Sequence, residues 1–594
     1  SRPHDPRYDA PVLRAASLVL VSALALTACA AGAPAHVAGA TSSLPSVPKR
    51  HVVVTIVVDQ LAAWVASERL DLLPKDGGFA RLRREGTYVR AMRYEHAVTD
   101  TAPGHSALYT GAFPRASGIF ANEVLAGDHA VSVLADDRTR LVTSDGVTDR
   151  PGSSLARLKV ATLADDLRAD RPDAIIIALS LKDRGALFAG GRHPTASVWF
   201  DVKSNRFVTS TAFADKLPRW ADAKDAVRAA ETSTWNLLDP AWVRAHAATP
   251  DDQPGEGDIP GFGTVFPHRL GATEKPALAL RTSPFGDDVL LSMGLAALDA
   301  EHAGDHETLL ALSLSSNDYI NHTFGPDSWE AWDELRRLDR ALATFFRALD
   351  ARFGPNGYAV VLTGDHGSNA MPEVGRHAFC DATAPDPWRR ACGEVHRVLP
   401  GELGRTLVAS ARQALGPGDW VSGVSDPYVY LTHGALALDA PRRAVLDDAL
   451  RKTLLAQPGV ARVYDTHALP SPCPPVSDES IDALVCRSVA PGAGDLYVVL
   501  QPGSFFDPSV VVGKGTSHGS PYLYDRTVPL LARYPAEIPA GRVIESATFD
   551  AFSATAASLL DITQLGLLDP RDVPIGGSLV IDQDELYGRP ATRP

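Results

Sequence analysis

Val52-Val53-Val54-Thr55-Ile56-Val57-Val58-Asp59 is a continuous β-branched run that stops on a carboxylate. A strand apolar on both faces must be covered on both faces, which is the setting of a parallel sheet between helices. An acid just past the carboxyl end of such a strand stands where open α/β sheets keep their sites. The pattern returns twice. Leu309-Leu310-Ala311-Leu312-Ser313-Leu314 runs into Ser315-Ser316-Asn317-Asp318, and Tyr358-Ala359-Val360-Val361-Leu362-Thr363 runs into Gly364-Asp365-His366-Gly367. A fourth run, Ala174-Ile175-Ile176-Ile177-Ala178-Leu179, ends in Ser180-Leu181-Lys182-Asp183-Arg184-Gly185. Between the second and third runs, Trp332, Leu335, Leu338, Leu342, Phe345 and Leu349 recur at spacings of three and four and are closed by Gly354, which predicts an amphipathic helix. Strand, helix, strand of these lengths is a parallel crossover unit. The expected class is therefore α/β, with a largely parallel central sheet and helices on both faces.

Around that frame the chain carries a set of reactive side chains. Thr101-Ala102-Pro103-Gly104-His105-Ser106 places a hydroxyl at the mouth of a helix, with Pro103 in the first turn, where its missing N–H costs nothing. Free N–H groups and the positive dipole end of such a helix suit a phosphate-like group, although a threonine before Pro-Gly also reads as an ordinary N-cap. Asp318 and His322 are four apart, so on a helix they share one face. Asp365 and His366 are adjacent at a strand end, and Gly513-Lys514-Gly515-Thr516-Ser517-His518-Gly519-Ser520 presents one more imidazole on a loop. With Asp59, the inventory is three acids, three imidazoles and one alcohol, enough donors for two zinc ions.

This ordered set resembles the alkaline phosphatase superfamily from about residue 51 to the C-terminal region. The resemblance implies an alkaline-phosphatase-like fold with an inserted cap. It implies one zinc ion on Asp318, His322 and His518, and a second on Asp59, Asp365, His366 and the nucleophile Thr101. Asn122, in Ser117-Gly118-Ile119-Phe120-Ala121-Asn122-Glu123, matches the asparagine that contacts a non-bridging phosphate oxygen, with the Ala102 N–H as its partner. That asparagine is shared with nucleotide pyrophosphatase/phosphodiesterases. Lys182 and Arg184 are similar to residues of the bacterial phosphate-irrepressible alkaline phosphatases, where they hold the extra charged oxygens of a monoester dianion. The implied activity is zinc-dependent phosphate monoester hydrolysis through a phosphothreonine, with broad substrate range. A phosphodiesterase or nucleotide pyrophosphatase on the same scaffold is the alternative, and a non-catalytic phosphate-binding lipoprotein is a rival from another class. In extended chain, Lys182 and Arg184, two apart, would point to one side and converge on one group.

The 594 residues carry a net charge of -14, which argues against nucleic acid as the main partner and leaves small phosphorylated metabolites. Ala15 through Ala28 is an apolar run of signal-peptide length ending in Leu26-Thr27-Ala28-Cys29. That end resembles a bacterial lipobox, so the expectation is export to the periplasm, either by simple cleavage or with a lipid anchor at Cys29. Residues 1–29 read as this targeting segment, 30–50 as an Ala/Gly/Ser/Pro-rich tether, and 51–594 as the catalytic domain. From about 371 to 503 the strand-and-acid rhythm stops, which reads as an insertion. Thr249 to Gly286 is rich in Gly and Pro and reads as a long surface excursion. The remaining cysteines fall as Cys380 with Cys392 and Cys473 with Cys486. Pairing neighbours into two disulfides is the simplest arrangement, and a zinc site made from the four is the alternative.

Overall fold

The computed structural model describes residues 52–127, 129–374, 395–476, 480–507 and 513–562. The targeting segment, the tether and the Cys380/Cys392 pair lie outside the described residues. Eleven strands form the main sheet. Across it, from edge to edge, run Arg542–Thr548, Thr87–Arg93, Thr527–Arg533, Tyr358–Thr363, Val52–Val58, Thr308–Leu314, Ile175–Ser180, Ala196–Asp201, Arg206–Ser210, Ala135–Thr143 and Gly146–Ser153. We label the four central ones β1 (Val52–Val58), β2 (Ile175–Ser180), β3 (Thr308–Leu314) and β4 (Tyr358–Thr363). β1 lies between β3 and β4, parallel to both, and β2 is parallel to β3. Antiparallel pairing enters with Thr527–Arg533 beside β4 and with Arg206–Ser210 beside Ala196–Asp201, while the edge strand Arg542–Thr548 is parallel to Thr87–Arg93. The expected α/β class is the observed one.

Alternation along β1 divides the core. Val53 and Val57 face one layer, which contains Ala102, Leu108 and Tyr109 of the helix α1 (Thr101–Thr110). Val52, Val54, Ile56 and Val58 face the other, which contains Leu335, Leu338 and Leu342 of a long helix. That helix runs Trp329–Phe353, is capped by the Ser328 side chain and is closed by Gly354 at φ 74°. Both faces are therefore covered, which is what a strand without a polar face requires. Register then does the positioning. Val58 stands beside Leu314 and Val57 beside Thr363, so β1, β3 and β4 end level and release Asp59, the residues leading to Asp318, and Asp365 at one edge.

Within residues 395–506 the chain builds a second, smaller sheet. Its strands are Val421–Ser425, Tyr428–Leu431, Leu496–Leu500 and Val460–Asp465, in that spatial order and all antiparallel. Helices Pro400–Leu415 and Ala440–Ala456 cover it with a core of its own, including Leu403, Leu407, Leu446, Leu450 and Leu454. Cys473 and Cys486 form a disulfide with their Cα atoms 5.7 Å apart.

The reading of 249–286 as a surface excursion needs correction. Ile259, Phe262, Leu270 and Ala279 are buried with Trp235, Ile320, Phe324 and Ala331 in a separate small core. His268 there is fully buried, with Nε2 at 2.8 Å from Glu330 Oε1. The glycines and prolines shape turns, while the few apolar residues between them anchor the segment.

Candidate active site

The level strand ends gather the reactive side chains. After β2 the chain turns into helix α2 (Asp183–Gly190) and after β3 into helix α3 (Ser316–Phe324), so both strands lead into a helix at the site edge. Asp318 and His322 lie one turn apart on α3, with His322 Nε2 at 3.2 Å from Asp318 Oδ1. Asp59, Asp318 and Asp365 are at most 1% exposed. Three carboxylates buried together require positive charge nearby.

Part of that charge is Lys182. Its Nζ lies 2.5 Å from Asp318 Oδ2, 2.7 Å from Asp59 Oδ2 and 3.2 Å from the Thr101 hydroxyl. Burial alone would lower the pKa of this ammonium, but Asp318 and then Asp59 outweigh it and hold the group above its usual value. The Asp318 carboxyl, which burial would raise, is held well below the ordinary range by His322 and Lys182. His518 is pushed down by burial and more strongly up by Asp100 and Asp318, so the spot where it sits attracts positive charge.

The donors fit a metal ion. Each of the three imidazoles gives Nδ1 to a backbone carbonyl: His322 to Thr516 at 2.7 Å, His518 to Thr99 at 2.9 Å and His366 to Gly367 at 3.0 Å. A carbonyl only accepts, so these contacts put the proton on Nδ1 and turn Nε2 inward, the arrangement that holds metal-ligating histidines. The Nε2 atoms of His322 and His518 face each other at 3.2 Å. His366 Nε2, both Asp59 oxygens and Asp365 Oδ2 make no hydrogen bond, although Lys182 is in ion-pair reach of Asp59 and His105 of Asp365. Among the described residues, two sets bring one ligand atom each within 4.8 Å of one another: Asp318, His322 and His518, and Asp59, Asp318 and His366. Asp365 is outside the second set. Its Oδ2 lies 3.6 Å from His366 Nε2 and 3.0 Å from His105 Nδ1, and His366 and then His105 hold its carboxyl below the usual range against the effect of burial.

Thr101 is the first residue of α1, and Asp100, not Thr101, is the N-cap. All ten residues of this helix are buried, so the hydroxyl is held in a fixed place at the positive helix end. Gly104 permits this: a Cβ there would run into the Asp365 carbonyl oxygen. The Ala102 N–H donates to Asn122 Oδ1 at 2.8 Å, so these two expected phosphate contacts hold each other.

The extended backbone expected through Lys182 and Arg184 is not the one found. β2 ends at Ser180 and α2 begins at Asp183, so Lys182 is the extended N-cap and Arg184 lies in the first helical turn. They leave a turn and not an extended strand, yet both cations act on Asp59 and Asp318. Arg184 Nε is buried without a hydrogen bond, and its Nη1 lies 3.8 Å from Asp183 Oδ1.

Two residues at the site carry no role in the sequence reading. His105 joins Asp365, the Thr101 carbonyl at 3.0 Å and, through Nε2, the Ser313 hydroxyl at 2.9 Å. Its spacing of four from Thr101 was visible, but its partners on β3 and β4 were not. Gln60 contacts Asp318 and Asp365 from a backbone with φ 64°.

Residues 53–506 match the family model described as type I phosphodiesterase / nucleotide pyrophosphatase. The chain belongs to this family. The resemblance to the alkaline phosphatase superfamily thus holds, and the chain is a phosphoester hydrolase. It is 30% identical over 536 residues to alkaline phosphatase PhoK of Sphingomonas sp, covering 87% of this chain and 89% of that protein. It is 29% identical over 503 residues to alkaline phosphatase PafA of Elizabethkingia meningoseptica, covering 82% and 87%. The crystal structure of wild type alkaline phosphatase PafA superposes with a TM-score of 0.76 at 26% identity, covering 88% of this chain and 98% of that one.

Proposed function

We propose that this chain is a phosphate monoester hydrolase, an alkaline phosphatase that uses two zinc ions and a phosphothreonine at Thr101 and acts on a broad range of small phosphorylated metabolites. The observation that carries the reading is Lys182, a buried cation 3.2 Å from the candidate nucleophile. A monoester dianion has one more charged oxygen than a diester, so a cation at the attacking hydroxyl favours the monoester. Two similar proteins are named alkaline phosphatases, which supports this order over the phosphodiesterase that the family description also covers.

The chain's own residues supply attack, orientation and charge. Thr101 Oγ1 forms a bond to phosphorus as the ester oxygen leaves with its organic group. A water oxygen then attacks the same phosphorus, the threonine O–P bond breaks, and inorganic phosphate is released. The N-terminus of α1 directs its positive end at the phosphoryl oxygens, and Asn122, its Oδ1 held by the Ala102 N–H, offers its amide NH2 to one of them. Lys182 and Arg184 meet the charge of the dianion, Lys182 as a point charge and Arg184 as a planar fork. Asp59, Asp365 and His366 on one side and Asp318, His322 and His518 on the other would hold the ions; when bound, these supply Lewis-acid charge at the attacking and leaving oxygens and lower the pKa of hydroxyl and water. His105 keeps Asp365 and the first turn of α1 together. Export, with a lipid at Cys29, is part of the same proposal and rests on the apolar run and its lipobox-like end.

The test is the double variant Lys182→Ala with Arg184→Ala, assayed on an aryl phosphate and on its methyl diester. Each charged hydrogen bond left unmade costs about 2 kcal/mol or more, roughly 30-fold, so the monoester reaction should fall by about three orders of magnitude. The diester reaction should fall much less. Equal losses on both substrates would make the pair structural and remove the basis for the monoesterase reading.

A further inference from the structure

Gln60 is the first residue past β1, and its backbone lies in the left-handed region at φ 64°. Glycine takes that conformation freely and a residue with a Cβ does not, so a glutamine held there is doing something a glycine lacks the atoms for. Its backbone N–H donates to Asp365 Oδ1 at 3.0 Å. Its side-chain Nε2 donates to Asp318 Oδ1, also at 3.0 Å, and its Oε1 accepts from the Ser368 hydroxyl at 3.3 Å. The residue is 1% exposed, so water does not replace these bonds when they break.

One residue thus ties the ends of three strands. It follows Asp59 directly, reaches Asp318 beyond β3 and reaches Asp365 beyond β4. The Asp318 oxygen it holds is the one that faces His322 Nε2 at 3.2 Å and His518 Nε2 at 3.6 Å. A carboxylate oxygen has two lone pairs, and a hydrogen bond to one fixes the direction of the other. We propose that Gln60 is a positioning residue that sets the orientation of Asp318 and Asp365 together, and with it the relative placement of the two metal positions. This rests on the reading that those carboxylates hold metal.

Two variants test it in the full-length protein. Gln60→Met keeps the length of the side chain and the backbone N–H to Asp365, and loses the side-chain hydrogen bonds to Asp318 and Ser368. Gln60→Gly relaxes the backbone, retains the N–H to Asp365 and loses the bond to Asp318. The readouts are zinc affinity by competition with a chromophoric chelator, the Tm of the metal-free protein, and kcat and KM on an aryl phosphate. Both variants should lose about 10- to 100-fold in affinity for at least one zinc ion, the effect expected of an outer partner of a ligand. The metal-free Tm of at least one variant should stay near wild type, and kcat should fall more than KM changes. A Gln60→Met protein that binds zinc as wild type does would reduce the residue to a space filler and overturn the proposal. So would a loss of affinity matched by collapse of the metal-free Tm in both variants. A wild-type protein that binds no zinc fails earlier and overturns the metal reading itself, which separates the two failures.

Discussion

Thr101 is held at its place from three sides: by the first turn of α1, by Lys182 Nζ at 3.2 Å, and by His105, which bonds the Thr101 carbonyl from one turn further along. A hydroxyl fixed in this way needs little reorganisation before attack. Replacing it by alanine removes one donor and leaves every carboxylate and imidazole of the site in place. Thr101→Ala should therefore fold with unchanged Tm and retain most of its zinc, while turnover falls by about 10⁴-fold or more, as for loss of a catalytic nucleophile elsewhere. Wild-type enzyme quenched in acid during turnover should carry phosphate on Thr101, and mapping it to any other residue would contradict the assignment. The left-handed backbone at Gln60 stores about 1–3 kcal/mol of conformational cost at the same scale, and its three hydrogen bonds offset it.

At the scale of elements, the site depends on how closely α1 approaches β4. Gly104 has no room for a Cβ because the Asp365 carbonyl oxygen already occupies the space. Gly104→Ala must push the helix away from the strand end that carries Asp365 and His366. Overpacking of this kind costs about 1–3 kcal/mol, so the variant should show a lower Tm, and kcat should fall further than the Tm loss explains because Thr101 moves with its helix. Wild-type kcat in a folded Gly104→Ala would show that the approach is not critical. The same scale shows which features the sequence made readable. The runs at 52–58, 309–314 and 358–363 are apolar on both faces and could be seen without partners, and the spacing of Asp318 and His322 becomes a shared face once α3 is granted. The backbone at Lys182 and Arg184 was misjudged because α2 starts at Asp183, between the two residues where an extended chain was assumed. Gln60 and His105 stayed silent for a different reason. Their partners Asp318, Asp365 and Ser313 lie more than 200 residues away, and no local pattern encodes a contact that the sheet register creates. The 249–286 segment failed by composition, since its few anchoring apolar residues are outnumbered by turn formers.

For the whole molecule, the main sheet and the smaller sheet within residues 395–506 each have a core, and the Cys473–Cys486 bridge closes a loop whose Leu484 and Val485 pack in the main one. With its partners 13 apart in sequence, chain entropy gives this bridge about 3 kcal/mol. Cys473→Ser with Cys486→Ser should lower the Tm accordingly and leave kcat on a monoester within a few-fold of wild type. A loss of activity at unchanged Tm would instead tie the bridge to the catalytic site. The net charge of -14 places a second demand on the whole molecule: an anionic substrate must be drawn in by local cations against the overall field. Lys182, Arg184 and the helix end at Thr101 meet that demand, and all of them act through the phosphoryl group. The account is tested most directly by kcat/KM of the zinc-loaded protein on an aryl phosphate and on its methyl diester, measured before chelation, after it, and after zinc is restored. It predicts a strong preference for the monoester, lost with the chelator and recovered with zinc; a preference for the diester, or turnover indifferent to chelation, would contradict it.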